Sequence, residues 1–424
     1  MILMLSDTLN HVSSRAHVTK KIAKRWETCA TALALLFALA LALPAHAQQF
    51  QLLYAFPWGK TGDERLGRKA SSLLRVNGNF YGTTTVGGRP NQGTVFEFTS
   101  SGALTNLYSF NRFRNSLDGS SPFGPLIRDR AGNLYGTTPY GGTYSGDCFD
   151  GCGTVFKLSP TGEETILHTF AVAPADGANP YGGLTADSVG NLYGTTFVGG
   201  SGCSNQGCGT VYKITPAGVE TVLYSFTGGA DGSIPEEVDL VIDSAGNLYG
   251  TTSKGGDLTC LGSRGEGCGV VFKIDPTGHE TVLYTFTGGL SGEYPQTGLA
   301  RDSLGNLYGM ATAGGSNQDL VFKVDPAGNE TVLYVIPGED INGSRAALLL
   351  DPAGNLFGTT AYGGSFGNGN VFELSSQGVY TSLHDFNWTD GSSPGGLLRD
   401  STGNLYGTTI LGGFGWGVIF KITP

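Results

Sequence analysis

The chain has 424 residues, and its formal net charge of −10 argues against binding to nucleic acid or to anionic membranes. Charged residues make up only 14% of the chain, whereas 69 residues are glycine. This is more than twice the usual glycine share of about 7%. The composition therefore favours a chain of strands and turns over a helical one.

Residues 1–47 have the three parts of a secretory signal peptide. A basic segment at 20–25 precedes an apolar run at 30–43, and a small-residue cleavage site at 45–47 follows. As a helix, the apolar run would span about 21 Å, less than the bilayer core of about 30 Å. We expect these residues to be removed on export, and the mature chain, which has no membrane span, to be periplasmic or extracellular.

The phrase Gly-Asn-Leu-Tyr-Gly-Thr-Thr, followed two residues later by Gly-Gly, recurs seven times with small changes. The seven copies begin at Gly78, Gly132, Gly190, Gly246, Gly305, Gly354 and Gly403. Their spacing of 49 to 59 residues is typical of a solenoid, a propeller or an array of repeats.

One repeat contains four strand-like pieces. In the third copy they are residues 183–187, 191–196, 210–214 and 221–226, which are rich in β-branched and aromatic residues and bounded by Gly, Pro, Asp and Asn. The first and second pieces, and the third and fourth, are joined by tight turns. The fourth piece is apolar on both faces, as expected for a sheet packed between neighbouring sheets.

The number of strands predicts how the array closes. The chain ends after a seventh third strand, so only six fourth strands follow a third strand. The seventh fourth strand is residues 50–56, at the mature N-terminus. We therefore predict an all-β fold, a single seven-bladed β-propeller over residues 48–424, with four-stranded blades and a last blade closed by the N-terminal strand. Closure leaves few free sheet edges.

A charge pattern predicts the hairpin between the third and fourth strands. Lys213 is followed seven residues later by Glu220, and the same spacing relates Lys157 to Glu164, Lys273 to Glu280 and Lys323 to Glu330. Across a four-residue turn these positions would face each other. Each such pair would contribute only about 0.2–1 kcal/mol, so we interpret the pattern as a register signal.

Six cysteines follow the signal peptide, as the pairs Cys148/Cys152, Cys203/Cys208 and Cys260/Cys268. Each pair lies inside one loop of the second, third or fourth repeat. We expect three disulfides within loops, formed in an oxidising compartment. The alternative is a four-cysteine zinc site built across neighbouring loops.

The repeat resembles the GloVer-type tandem repeat of secreted bacterial proteins, whose members carry varied C-terminal anchors. Residues 190–196, 199–200 and 209–214 carry the resemblance, and the match covers residues 50–424. The resemblance implies a propeller-like extracellular repeat protein and brings no catalytic residues. The Asp-x-x-Gly-Asn-Leu-Tyr core is also similar to NHL and gluconolactonase-like propellers, which bears on the fold only.

Because successive strands of a blade run in opposite directions, both tight turns of the blade lie on one rim of the ring. The other rim, which we call the variable rim, consists of the loops between second and third strands and the crossovers from each fourth strand to the next blade. Binding residues concentrate on loops held by a rigid scaffold, so the variable rim is the candidate binding face. The three cysteine loops belong to it.

Crossovers on the variable rim repeat the sequence Asp-Gly-x-x-Pro, at Asp118, Asp176, Asp231 and Asp390. One interpretation is a partial ring of carboxylates around the central channel that holds Ca²⁺ or a polar ligand. The other, which we favour, is a turn whose Asp accepts backbone hydrogen bonds and recurs because the blade recurs. No other cofactor is expected.

Residues that differ between blades are better candidates for function. Aromatic residues of the variable rim could stack on sugar rings, or could cover the packing of their own loops. They are Tyr140, Tyr144, Phe149, Phe366, Trp388, Phe414 and Trp416. The three histidines of the mature chain do not form a metal cluster or a catalytic triad pattern.

We therefore expect a secreted, monomeric, non-enzymatic scaffold that binds a glycan or a cell-surface protein. Two alternatives stay open. One is an extracytoplasmic glycosidase, lyase or lactonase that uses carboxylates at the channel mouth. The other is a purely structural envelope protein.

Overall fold

The computed structural model describes residues 48–57, 68–111, 117–144, 148–171, 176–203, 207–235, 238–260, 265–313, 318–337, 346–413 and 415–423. They belong to one compact unit, Gln48–Pro424. The signal peptide predicted at residues 1–47 lies outside the described residues.

The described residues form seven four-stranded antiparallel sheets, one for each repeat, and these are the blades of a propeller. The first strands of blades one to seven are Arg68–Val76, Ile127–Arg128, Thr185–Ala186, Val241–Ile242, Ala300–Arg301, Leu349–Leu350 and Ser392–Arg399. The second strands are Asn79–Val86, Leu134–Thr138, Leu192–Thr196, Leu248–Thr252, Leu307–Ala313, Leu356–Thr360 and Leu405–Leu411.

The third strands are Thr94–Phe98, Thr154–Leu158, Thr210–Ile214, Val270–Ile274, Gln318–Val324, Asn370–Leu374 and Gly415–Thr423. The fourth strands of blades one to six are Leu104–Ser109, Glu164–Thr169, Glu220–Ser225, Glu280–Thr285, Glu330–Ile336 and Tyr380–Asp385. Two small ribbons, Gly119–Ser120 with Tyr140–Gly141 and Gly177–Ala178 with Val198–Gly199, lie on the variable rim. The single turn of 3₁₀-helix described is Gly289–Ser291.

The seventh blade confirms the predicted closure. Its fourth strand is the N-terminal segment Gln49–Pro57, which pairs antiparallel with the C-terminal strand Gly415–Thr423. Phe50 faces Ile422 in this pairing, and Leu52 faces Phe420. Both ends of the unit are therefore held in one sheet, and the all-β, seven-bladed prediction is correct.

The hairpin between third and fourth strands is confirmed, but its predicted register is wrong by one residue. Lys213 faces Thr221, and Glu220 faces Ile214. The turn has three residues, not four, because the amide of Thr215 bonds the carbonyl of Val219 at 2.9 Å and Gly218 adopts a φ of +79°. The glutamate side chains are thereby free to contact the neighbouring blade.

The repeated phrase is explained by bonds within and between blades. In blade three, the Asp187 carboxylate receives the backbone and side-chain N–H groups of Asn191, at 2.9 and 2.6 Å, and the Tyr193 hydroxyl at 3.0 Å. The first Thr of the phrase donates to the inner strand of the next blade, as Thr137 does to the carbonyl of Gly182 at 2.8 Å. These bonds explain why the phrase recurs in every repeat.

Aromatic rings form the core between blades. The Phe that ends a fourth strand meets the third-strand aromatic of the next blade edge-on, as Phe226 meets Phe272 with 5.1 Å between ring centroids. A Cβ on Gly250 would lie 2.7 Å from the tip of the Phe272 ring. The glycine of Leu-Tyr-Gly-Thr-Thr is thus required for the close approach of this ring.

The first strands lie innermost and the fourth strands outermost. A central cavity of about 170 Å³ is lined by residues at the beginning of first strands, among them Ser72, Gly182, Asp239 and Gly396. Among the described residues, no helix is long and apolar enough to cross a membrane.

Candidate functional site

The three disulfides on the variable rim are those expected from the sequence. Cys148–Cys152, Cys203–Cys208 and Cys260–Cys268 join Cα atoms 5.1, 5.6 and 6.1 Å apart. Because all six cysteines are paired, the alternative zinc site across loops is excluded. Three disulfides fit an oxidising, extracytoplasmic environment.

The aspartates of the Asp-Gly crossovers do not surround the central channel. Asp118 is buried between the outer strands of blades one and two, where its Oδ2 lies 3.0 Å from the Tyr108 hydroxyl. The same hydroxyl lies 3.1 Å from Oε2 of Glu164. We call this set the inter-blade trio: a fourth-strand Tyr or His, the crossover Asp, and the fourth-strand Glu of the next blade.

The trio varies around the ring. Tyr224 donates to Asp231 at 3.0 Å, with Glu280 as the third member. His168 replaces the tyrosine beside Asp176. At Asp390, His384 is the partner at 3.1 Å.

Burial favours the protonated, uncharged forms of the two carboxyl groups in the Tyr108 trio. It raises the pKa of Glu164 to about 8, with help from the negative charge of Asp118, and burial also raises the pKa of Asp118. A tyrosine hydroxyl has one hydrogen to donate, so a proton on Glu164 allows both short contacts of Tyr108. The favoured structural interpretation agrees with this geometry, since the Asp118 carboxylate also accepts the Asn111 amide at 2.7 Å.

Four of the candidate aromatic residues divide into two kinds, and Phe414 lies outside the described residues. Tyr144 and Trp388 are exposed, at 49% and 51% of their surface. Tyr140 is half-buried with its hydroxyl 2.7 Å from that of Tyr181, and Trp416 is half-buried against the cluster that contains Ile419. Tyr144 and Trp388 can therefore offer a ring face to a ligand, whereas Tyr140 and Trp416 mainly pack.

Other exposed aromatic residues accompany them. Phe149, in the loop closed by Cys148–Cys152, is 87% exposed, and Phe366, in the second-to-third loop of blade six, is 60% exposed. Tyr362 is exposed in the same loop as Phe366. These residues can be recognised from the sequence because they lie in loops that differ between blades.

Asp239 is a candidate residue that sequence reasoning missed. It lines the central cavity, and its Oδ1 accepts the Gly183 amide at 2.7 Å. Burial raises the pKa of Asp239 to about 6. At the equivalent inner position the other blades have Ser72, Pro125, Gly183, Gly298, Ala347 and Gly396. Alignment of the seven repeats at the following leucine would have revealed this single carboxylate.

Comparison with known proteins gives a family and a fold. The family model described as the Gloeobacter/Verrucomicrobia repeat matches residues 35–262 and 258–424. A sequence comparison with curated proteins finds no match.

Two solved structures with TM-scores above 0.5 illustrate the similarity in fold, and a third aligns less well. PorZ, a surface component of the type-IX secretion system of Porphyromonas gingivalis, aligns with a TM-score of 0.52 and 16% identity over 86% of this chain and 48% of its own. A puromycin-hydrolysing peptidase of Mycobacterium tuberculosis aligns with a TM-score of 0.52 and 11% identity over 83% of this chain and 51% of its own. A gluconolactonase from Xanthomonas campestris aligns with a TM-score of 0.38 and 16% identity, over 63% of this chain and 78% of its own.

These likenesses concern the fold alone, and this chain spans about half the length of PorZ and of the peptidase. The family model, in contrast, covers nearly the whole sequence in two matches, and each match spans several blades. The chain belongs to the Gloeobacter/Verrucomicrobia repeat family.

Proposed function

We propose that this propeller is a non-catalytic scaffold that binds glycans on its variable rim. One observation carries the proposal: in the part of the chain that the structure describes, the strongly exposed aromatic residues all lie on that rim. They are Tyr144, Phe149, Tyr362, Phe366 and Trp388. The exposed large apolar residues of the opposite rim are aliphatic, namely Val189, Val219, Leu304 and Val379.

The loops that carry these rings are held in place. Phe149 lies between two disulfide-bonded cysteines. Trp388 has a φ of +72°, a conformation that costs of order 1–3 kcal/mol and is concentrated at ligand and switch sites. The Trp388 carbonyl accepts the Gly413 amide at 2.8 Å, and its amide donates to Gly391 at 3.0 Å. A pre-formed loop loses less entropy when it binds a ligand.

The Phe366 loop and the Trp388 turn are neighbours. The carbonyl of Asn368, two residues after Phe366, accepts the Ser393 amide of the following crossover at 3.0 Å. Two aromatic residues on joined loops could contact successive rings of one polysaccharide. The net charge of −10 favours a neutral glycan over an acidic one, because like charges repel.

The test is a thermal-shift screen of the purified protein against neutral and acidic polysaccharides, with and without Ca²⁺, followed by calorimetric titration of each ligand found. A ligand at a hundred times its Kd adds about 2.7 kcal/mol to the free energy of unfolding. Trp388→Ala and Phe366→Ala are expected to weaken glycan binding at least tenfold. Val219→Ala, with similar exposure on the opposite rim, is the matched control and should leave the affinity unchanged.

Three outcomes would contradict the proposal. If no polysaccharide shifts the melting temperature, a protein partner or a structural role is favoured instead. If lactones or polysaccharides are turned over, and the turnover disappears when Asp118, Asp176, Asp231 and Asp390 are neutralised, the protein is an enzyme. A shift caused by Ca²⁺ alone would indicate a metal site in the Asp-Gly crossovers.

A further inference from the structure

The interface between blades two and three differs from its neighbours at two polar positions. At the fourth-strand position where blades one and three have Tyr108 and Tyr224, blade two has His168. At the third-strand position where the six other blades have phenylalanine, blade three has Tyr212. Both differences occur at the same inter-blade trio, the one formed with Asp176 and Glu220.

The three side chains converge on one point. Nε2 of His168 lies 3.4 Å from Oδ2 of Asp176, and one ligand atom from each of His168, Asp176 and Glu220 lies within 4.8 Å of the others. In a tetrahedral site with metal–ligand bonds of about 2.1 Å, neighbouring ligand atoms are about 3.4 Å apart. The cluster therefore needs only small side-chain movements to close around an ion.

The Asp176 carboxylate is already oriented by the backbone. Its Oδ2 accepts the Ala171 amide at 2.9 Å, and its Oδ1 accepts the Gly177 amide at 2.7 Å. A ligand that is fixed before the ion arrives loses little conformational freedom on binding. His168 and Asp176 are half-buried, so an ion can reach them from the variable rim.

Two polar atoms at this interface have no counterpart with a free valence in the trios of Tyr108 and Tyr224. Where Tyr108 and Tyr224 bring a hydroxyl to the crossover aspartate, His168 Nε2 has no hydrogen-bond partner among the described residues. The Tyr212 hydroxyl also has none, although its side chain is completely buried. Oε1 of the glutamate lacks a partner in other trios too, so it is not distinctive.

We propose that His168, Asp176 and Glu220 form a binding site for one divalent transition-metal ion of the Zn²⁺ class. One imidazole nitrogen and two carboxylate oxygens suit Zn²⁺, Ni²⁺ or Cu²⁺. They do not suit Ca²⁺, which takes six to eight oxygen ligands.

The other histidine of an inter-blade trio provides an internal comparison. His384 bonds Asp390 at 3.1 Å, but Phe50 occupies the place of the glutamate and stacks on the imidazole at 3.9 Å between ring centroids. Two ligands remain there, and one face of the ring is covered. We expect no metal ion at His384.

The experiment is calorimetric titration of the purified, untagged, EDTA-treated protein with Zn²⁺, with Co²⁺ absorption spectra as a second readout of the ligand field. One ion per chain is expected, and Ca²⁺ should neither bind nor compete. His168→Tyr restores the trio that the chain uses elsewhere, so it should fold and weaken Zn²⁺ binding at least 100-fold. Glu220→Gln should do the same.

The matched control is Glu280→Gln, in the trio of Tyr224 and Asp231, which should bind Zn²⁺ as the wild type does. The proposal is overturned if the wild type binds no Zn²⁺ at millimolar concentration. It is also overturned if His168→Tyr, with an unchanged melting temperature, keeps the wild-type affinity. Loss of binding in Glu280→Gln but not in Glu220→Gln would place the ion at a different interface and refute the assignment.

Discussion

Asp239 is a residue whose ionisation should be visible in the stability of this protein. Burial raises its pKa to about 6, against about 3.9 for a free aspartate. Between about pH 4 and pH 6 the folded state therefore holds a proton that the unfolded chain has released. At pH 7 Asp239 is ionised in both states, and its buried charge destabilises the fold. Asp239→Asn keeps an oxygen for the Gly183 amide and removes the charge.

We expect Asp239→Asn to raise the free energy of unfolding at pH 7 by about 1–2 kcal/mol, a value reduced for the partial solvent access of this side chain. The gain should vanish near pH 4, where both side chains are neutral. Chemical denaturation at the two pH values measures it. An equal effect at pH 4 and pH 7 would show that the charge is not the cause.

Asp243, four residues further on, is the opposite case and serves as a control. Burial alone would raise its pKa, but hydrogen bonds from Asn247 and Tyr249 lower it below the usual value. Asp243→Asn should therefore destabilise the protein at pH 7. One carboxylate is held in its charged form and the other is not, although both lie in the same blade.

At the scale of single elements, the N-terminal strand Gln49–Pro57 deserves a direct test, because the closure of the ring depends on it. Phe56 is completely buried, and its ring lies 5.1 Å from that of Tyr54 and 5.9 Å from that of Phe96. Phe56→Ala should cost about 3–5 kcal/mol and lower the melting temperature in a single transition. Leu52→Ala, at an exposed position of the same strand, should cost much less.

If Phe56→Ala instead gave a separate early transition, with the rest of the molecule melting as before, the strand would not be part of the cooperative unit. Calorimetry distinguishes the two results, because a single cooperative transition has equal calorimetric and van't Hoff enthalpies.

The hairpins show how far local sequence rules reach at this scale. Pro216 and Gly218 were sufficient to predict a tight turn, and the turn is present. The spacing of Lys213 and Glu220 suggested a facing pair, but a three-residue turn moves the register by one position. A one-residue shift changes the face on which every side chain lies. Glu220 consequently points away from Lys213 and towards the neighbouring blade, where it joins His168 and Asp176.

The whole molecule should be most stable in mildly acidic solution. Burial raises the pKa of Glu164 to about 8 and that of Glu280 to about 7, in each case with help from a neighbouring aspartate. Between about pH 4.5 and pH 8 the folded chain thus holds protons that the unfolded chain has lost, and stability falls as pH rises. Below about pH 4, stability falls again as aspartates such as Asp243 become protonated.

We expect a maximum of the melting temperature near pH 4.5 and a decline of about 3 °C or more by pH 8. Scanning calorimetry between pH 3 and pH 9 measures it. In Glu164→Gln/Glu280→Gln, which mimics the protonated side chains, the decline should largely disappear. A melting temperature that stays constant or rises from pH 5 to pH 8 would contradict this account of the inter-blade trios.

The candidate sites were less predictable than the fold, for a physical reason. Tyr144 and Trp388 could be proposed from their loops, but only burial distinguishes them from Tyr140 and Trp416. The Asp-Gly crossovers were recognised from the sequence. Each crossover aspartate lies beside the outer strand that precedes it and not at the channel, and the sequence does not show this position. Contacts between blades join residues some 50 positions apart, such as Tyr108 and Glu164, and no local pattern specifies them.

The sequence by itself determined the number of blades, the strand order within each blade, the closing strand and the disulfide partners. These features repeat or are local, so period, turn chemistry and spacing are enough to predict them. Only the tertiary structure decided which side chains meet between blades and which aromatic residues are exposed. Those properties depend on burial and on the packing of one blade against the next, which the linear sequence does not contain.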